Sequence, residues 1–226
     1  FVDSYGDTVT LQLPIEKVCI MTSGVSALFK AWGQMDKVVA CSNSYVEEFQ
    51  KYNPAITSAG AWNALDPEAV IESGATVVFG WKNYTDETML ETLKAAGVQC
   101  VWLELSDASK NTAEATAVAQ MLGIENEPVV REYLDKCAYV EELLATRLPE
   151  EAVQKVLFYT GTLEKAEVAN TYKSGNNETD YADMLLTAGG INIAGDNEER
   201  NPAFDLEAVI TMNPDIILRL LAAADY

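Results

Sequence analysis

The sequence predicts an α/β protein with two Rossmann-like lobes joined by a single long α-helix. Three observations support this: short apolar strands alternate with helix-like segments, one helical pattern in mid-chain is much longer than the others, and a short unit recurs on either side of it. A single domain with the long helix packed on it is the alternative. The predicted boundaries are 1–125 for the N-terminal lobe, 126–150 for the connecting helix and 151–226 for the C-terminal lobe.

The strands are predicted from short apolar runs that are rich in β-branched residues and are flanked by turn residues. Such lengths are typical of strands buried in a parallel sheet. The six runs are Val18–Met21, Lys37–Cys41, Thr76–Trp81, Cys100–Leu105, Lys155–Thr160 and Asp215–Leu220.

The helices between these strands are predicted to end where glycine supplies a left-handed cap. Asp86–Ala96 ends before Gly97, and Asn111–Leu122 ends before Gly123. The long helix is predicted over Pro128–Leu148, with proline in its first turn, and would extend about 31 Å. Its apolar residues recur every three or four positions: Val129, Tyr133, Cys137, Val140, Leu144 and Leu148.

The internal repeat pairs residues 65–81, LDPEAVIESGATVVFGW, with residues 204–220, FDLEAVITMNPDIILRL. In each copy an Asp precedes a short helix and a Glu lies in its first turn, where the helix dipole favours negative charge. The dipole alone would explain why Glu68 and Glu207 are acidic. It does not explain why both halves of the chain place the Glu at the same point.

Composition excludes several classes of function. Acidic residues outnumber basic ones by 35 to 15, and the resulting net charge of -20 would repel nucleic-acid phosphate and anionic lipid. The chain has no histidine, which excludes Ser-His-Asp and Cys-His catalysis and His-ligated zinc. The four cysteines form no CxxC pair, so we expect buried apolar thiols and no metal cluster, with one disulfide as the alternative.

Four segments, in the same order, resemble the substrate-binding proteins of ABC importers for ferric siderophores, vitamin B12 and haem. The resemblance runs from about Gly6 to Leu220 and implies that ligand is held between two lobes. Members usually continue several dozen residues further, so the C-terminal lobe is expected to be incomplete at its C-terminal end. The segments are GDTVTLQLPIEKVCIMTSGVSALFKAWGQMDKVVACSNS, GAWNALDPEAVIESGATVVFGW, LLTAGGINIAG and FDLEAVITMNPDIIL.

The resemblance implies a non-enzymatic, monomeric protein outside the cytoplasm, either periplasmic or lipid-anchored on the outer face of the cell membrane. It would capture an iron complex or corrinoid, without a cofactor of its own, and deliver it to the permease. In the vitamin B12 and siderophore binders one Glu on each lobe docks into an Arg-lined permease pocket. These residues correspond to Glu68 and Glu207. A haem-binding variant of the same transport role is the alternative, and it would require a Tyr ligand to the haem iron.

The ligand site is predicted at the carboxyl ends of the strands, where parallel α/β lobes bind their ligands. Aromatic residues concentrate there, and rigid rings suit a large planar or chelate ligand. Trp62 and Trp81 also fall where vitamin B12 binders place tryptophans, although both could instead fill the core. The predicted ligand-binding residues are Tyr45, Trp62, Trp81, Lys82, Tyr84, Tyr172, Lys173 and Arg200, and Lys165 is a further basic residue in these segments.

The rival class of function is a carboxylate-based enzyme such as a glycosidase. Its acid and nucleophile would come from Asp66, Glu68, Asp205 and Glu207. These residues lie near helix starts in two different lobes, and the sequence has no glycine-rich phosphate loop or nucleophile elbow. An adhesive or chaperoning surface module is a third alternative. The sequence does not identify which ligand is bound.

Overall fold

The structure is a computed structural model that describes residues 1–103, 105, 110–147, 154–160 and 170–220. The chain divides into two compact units. Unit 1 comprises Phe1–Ser106 and Lys110–Ala138, and Tyr139–Tyr226 is the main part of unit 2, so the division falls within one helix. No helix among the described residues is long and apolar enough to cross a membrane.

Unit 1 contains a five-stranded parallel sheet in the order β3-β2-β1-β6-β7 and a two-stranded antiparallel ribbon, β4-β5. The predicted α/β class is therefore confirmed. The four strands predicted in unit 1 were all predicted too long, by one residue for β1 and β2, two for β6 and three at the carboxyl end of β7. Leu105, which was included in β7, has a φ of 41° that a strand does not accept. The strands are β1 Val18–Ile20, β2 Val38–Cys41, β3 Thr57–Ser58, β4 Gly60–Ala61, β5 Ala64–Leu65, β6 Val77–Gly80 and β7 Gln99–Trp102.

The helices of unit 1 follow the predicted capping signals closely. The α4 helix ends at Ala95, two residues before Gly97, and α5 ends where Gly123 adopts a left-handed φ of 70°. The helices are α1 Ser23–Ala31, α2 Val46–Phe49, α3 Pro67–Glu72, α4 Glu87–Ala95, α5 Asn111–Leu122 and α6 Pro128–Arg147.

The core of unit 1 lies on both faces of the parallel sheet. Along β1, Val18 and Ile20 belong to one buried cluster, whereas Cys19 and Met21 belong to another. Successive side chains of a strand point to opposite faces, so each face has its own packed layer. This double coverage is typical of a parallel sheet between helices.

The long helix α6 is confirmed over 20 residues, but its buried stripe differs from the prediction. Val130 is buried and Tyr133 and Leu134 pack on the unit 1 core, whereas Val129 and Val140 are exposed. The stripe therefore begins one residue later than predicted, because residues 130, 133 and 134 share the face that contacts the core. Leu148 lies outside the described residues.

Unit 2 has a mixed sheet centred on β8. Strands β10 and β12 pair with β8 in parallel, while β9 pairs antiparallel with both β8 and β11. The second copy of the repeat is confirmed as a helix and strand, α8 and β12, matching α3 and β6 of unit 1. The elements are β8 Lys155–Thr160, β9 Tyr172–Lys173, α7 Asp180–Thr187, β10 Ile191–Asn192, β11 Ala203–Phe204, α8 Leu206–Met212 and β12 Ile216–Leu220.

Candidate functional site

Three of the predicted ligand residues share one crevice in unit 1. Trp62 and Tyr84 meet edge to face, with ring centroids 5.0 Å apart and planes at 80°, and Trp81 lies beside them. Trp62 is 47% exposed and Tyr84 is 44% exposed, so the pair offers a large part of its ring surface to solvent. We call Trp62, Trp81 and Tyr84 the aromatic cluster.

A tight hairpin places Trp62. It is in the two-residue turn between β4 and β5, whose base is tied to the main sheet by Ala59 N–H donating to the Cys41 carbonyl at 2.8 Å. Gly60 has a φ of 95°, and a Cβ there would lie 2.4 Å from the Ala64 carbonyl oxygen. Glycine is therefore required for the ribbon to turn back and present Trp62.

The turn after β6 places Trp81 and Tyr84. Residues Lys82–Tyr84 form a single 3-10 turn, in which Tyr84 N–H donates to the Trp81 carbonyl at 3.2 Å. The Thr85 hydroxyl donates to the same carbonyl, also at 3.2 Å. These two hydrogen bonds satisfy the carbonyl of Trp81, the first residue after β6, and fix the position of Tyr84.

The crevice is an open wall rather than an enclosed pocket. Its cavity volume is about 10 Å³, far below the roughly 300–1,000 Å³ of a small-molecule pocket, so unit 1 alone does not enclose a large ligand. Its floor is apolar because the strands beneath it are buried. The lining residues are Met21, Trp62, Leu65, Val78, Gly80, Trp81, Tyr84, Thr85 and Trp102.

A second groove in unit 1 lies at the opposite end of the sheet. It is formed by residues that precede β1, β6 and β7, and it is larger than the crevice at the aromatic cluster. It carries no aromatic side chain. The lining residues are Thr10, Leu11, Gln12, Pro14, Ile15, Glu16, Thr76, Val77, Gly97 and Gln99.

The other predicted aromatic residues pack on cores. Tyr45 stacks on Phe49 with ring centroids 5.5 Å apart, and its side chain is only half-exposed. Tyr172 lies within β9 rather than after a strand and meets Tyr159 edge to face at 5.8 Å. Each ring therefore supports its own unit's packing, and the ligand roles of Tyr45 and Tyr172 stay predictions.

The predicted basic residues differ in their surroundings. Lys82 Nζ lies 2.6 Å from the Asp7 carboxylate, whereas Lys173 and Arg200 are exposed on unit 2. Lys165 lies outside the described residues, as do the predicted strand ends at 106–109 and 161–164. The Asp7 partner was missed because it is 75 residues away in sequence, and no local pattern joins the two.

The two glutamates of the repeat occupy equivalent local positions. The Asp66 side chain caps α3 by accepting hydrogen bonds from the Glu68 and Ala69 N–H groups at 3.0 and 3.1 Å. The Asp205 side chain caps α8 by accepting from Ala208 N–H at 2.8 Å. Glu68 and Glu207 both lie in the first turn and are exposed.

Three of the four cysteines, Cys19, Cys41 and Cys100, pack in the core of unit 1. All four are free, and the described residues contain no group of three or more His, Cys, Asp or Glu side chains placed to hold a metal ion. Burial raises the pKa of the Cys41 and Cys100 thiols to about 12, and raises that of Cys19 further. These thiols stay protonated at neutral pH and pack as small apolar groups.

Residues 18–222 match the family model described as "Periplasmic binding protein". A search of curated protein sequences finds no match. Solved structures do match: the periplasmic haem-binding protein HutB of Vibrio cholerae is 19% identical with a TM-score of 0.68, covering 90% of this chain and 75% of its own.

Two further structures show the same fold. The periplasmic vitamin B12-binding protein BtuF of Vibrio cholerae is 17% identical with a TM-score of 0.69, covering 94% of this chain and 79% of its own. A protein of Staphylococcus epidermidis ATCC 12228, reported as a possible iron-binding (periplasmic solute-binding) protein, is 16% identical with a TM-score of 0.66. It covers 94% of this chain and 81% of its own.

Proposed function

Because the chain belongs to the periplasmic binding protein family, we propose that it is the extracytoplasmic substrate-binding protein of an ABC importer. In this role it captures an iron complex, corrinoid or haem and delivers it to the permease. The family resemblance read from the sequence is thereby confirmed, and the family is one of binding proteins. The ligand, the docking residues and the absence of enzymatic activity are parts of the proposal.

The observation that carries the proposal is the exposed aromatic cluster at the carboxyl ends of β4 and β6. Trp62 and Tyr84 keep nearly half of their surface in water although both sit on an apolar floor. A large ligand that covered two such rings would bury on the order of 150 Å² of apolar surface, worth about 4 kcal/mol before association costs. The free energy gained by burying this surface favours binding of a ring-bearing molecule.

The ligand class follows from the chemistry of these rings together with the structural relatives. HutB and BtuF are named for haem and vitamin B12, both of which carry a broad macrocycle. Flat aromatic side chains make contact with such a macrocycle over a wide area. Since the chain has no histidine, a haem iron bound here would take a Tyr ligand, and Tyr84 is the exposed tyrosine of the cluster.

Permease docking is proposed for Glu68 and Glu207. Among the described residues neither carboxylate forms an ion pair, and both side chains are exposed. An exposed carboxylate at an equivalent point of each unit suits recognition by a basic pocket, where charge sets orientation and association rate more than affinity. Permease docking would explain why both halves of the chain place a Glu at the same point of the repeat, which the helix dipole does not explain.

The alternative carboxylate enzyme is disfavoured by how the acidic side chains are used. The Asp66 and Asp205 carboxylates accept backbone N–H groups as helix caps. An acid and nucleophile pair of a glycosidase needs two carboxyl groups that face one substrate. Of the four candidate carboxylates, the caps leave one uncommitted in each unit, Glu68 in unit 1 and Glu207 in unit 2.

A visible-absorption titration tests the proposal. The purified protein is titrated with haemin, cyanocobalamin and a set of ferric chelates, and the ligand is then released and analysed. We expect one of these ligands to bind saturably at one per chain, with a changed spectrum and with its chemical structure unaltered on release. Binding by none of them would contradict the ligand class, and chemical conversion of the released ligand would support the enzyme alternative.

A further inference from the structure

The N-terminal loop of residues 3–7 is held by hydrogen bonds of its own. An antiparallel bridge between Val2 and Thr8 closes it. Inside it, one carboxylate oxygen of Asp3 accepts hydrogen bonds from Tyr5 N–H at 3.0 Å and Asp7 N–H at 2.9 Å. Asp3 is buried, so these bonds are partly shielded from water, and they hold the backbone of Asp7 in place.

The same loop is anchored at the carboxyl end of the parallel sheet. Ser4 N–H donates to the carbonyl of Trp102, the last residue of β7, at 3.1 Å. The Ser4 hydroxyl donates to the carboxylate of Glu114, a buried residue of α5, whose other oxygen accepts Leu105 N–H at 2.6 Å. The anchors place the loop beside β6, the strand that leads into the aromatic cluster.

From this position the loop holds Lys82. The Lys82 ammonium lies 2.6 Å from the Asp7 carboxylate and 5.8 Å from the centre of the Tyr5 ring. Lys82 is in the same 3-10 turn as Tyr84. It is also the one basic residue in the unit 1 segments 22–26, 42–48, 60–63 and 81–85 that follow or cap the strands.

We infer that Asp7 is a specificity-determining residue of the ligand site, which neutralises Lys82 and so disfavours anionic ligands relative to neutral ones of similar shape. This rests on the proposed binding function. An anionic ligand must displace Asp7, which is already ordered by Asp3, before it can pair with Lys82. A neutral ligand does not compete with Asp7 for Lys82.

The size of the effect is set by exposure. The Lys82 and Asp7 side chains are 37% and 48% exposed, so solvent and salt screen their charges. Pairs of this kind are worth up to about 1 kcal/mol, which corresponds to about a fivefold change in affinity.

The test compares haemin, which carries two ionised propionates, with cyanocobalamin, which is neutral overall. In Asp7→Asn we expect haemin to bind about three- to fivefold more tightly than to wild type, with cyanocobalamin changed less than about twofold. In a Lys82→Met background the same Asp7→Asn change should have no such effect. The control is Glu87→Gln, which makes the same change in net charge on the exposed first turn of α4.

The outcomes separate the inference from the proposed function. If either probe binds wild type and Asp7→Asn gives haemin no advantage over cyanocobalamin, the inference is overturned while the binding function stands. An equal advantage in Glu87→Gln, or persistence of the effect in Lys82→Met, also overturns it by assigning the change to net charge. If wild type and all variants bind neither probe, the inference is overturned, whereas the proposed function fails only if the ferric chelates do not bind either.

Discussion

Replacing Trp62 with alanine removes half of the exposed aromatic pair and leaves the buried core in place. Trp62 is 47% exposed, so about half of the roughly 200 Å² of a tryptophan side chain is buried in unit 1. At about 25 cal/mol per Å², the free energy of unfolding should fall by about 2 kcal/mol. This includes the loss of the edge-to-face contact with Tyr84.

Trp32 provides the matched control, because it is a tryptophan that packs edge to face on Tyr133 at 5.7 Å but is only 5% exposed. Trp32→Ala should lower the free energy of unfolding by about 3–5 kcal/mol. Urea unfolding measures both variants, and a ligand titration under folded conditions measures affinity. Trp62→Ala should bind about 10- to 100-fold more weakly, whereas folded Trp32→Ala should bind as wild type does.

Two results would refute this reasoning. If Trp62→Ala loses as much stability as Trp32→Ala, Trp62 acts as a core residue. If its stability falls as expected but its affinity does not change, the ligand does not contact the aromatic cluster. Tyr52→Ala, which removes a 57% exposed ring outside the cluster, should leave affinity unchanged.

Three further predictions concern the rest of the chain. Glu68→Lys or Glu207→Lys should slow importer-dependent uptake and leave ligand affinity unchanged, whereas Glu72→Lys, on the same helix as Glu68, should change neither uptake nor affinity. Asp66→Ala should lower the free energy of unfolding by about 1 kcal/mol, measured in urea, through loss of the α3 cap. Because the folded-state pKa of Cys100 is raised from 9.0 to about 12, stability should fall as pH rises through this window, and Cys100→Ser should lessen the fall.

Much of the fold could be predicted because its signals are local. The β8 strand and the α5 helix have the predicted bounds, since a β-branched run and a glycine cap are each read within a few residues. The β9 and β11 strands were not predicted. Each has two residues, too few to show an alternating pattern, and their antiparallel pairing joins residues about thirty positions apart.

The site was predictable only in part, for a related reason. Aromatic type and position after a strand selected Trp62, Trp81 and Tyr84, which the structure brings together in one crevice, and their ligand role stays a prediction. The same criteria also selected Tyr45, whose ring stacks on the core residue Phe49. Sequence position gives the end of the sheet but not the direction of a side chain, which depends on tertiary packing.

Hydrogen exchange with and without saturating ligand tests the central claim, that ligand binds at the carboxyl-end aromatic cluster, most directly. The ligand is whichever of haemin, cyanocobalamin and the ferric chelates binds in the titration. We predict that it slows amide exchange in segments 60–63 and 81–85 and leaves the opposite groove, at residues 10–16 and 97–99, unchanged. Protection confined to the opposite groove would contradict the account.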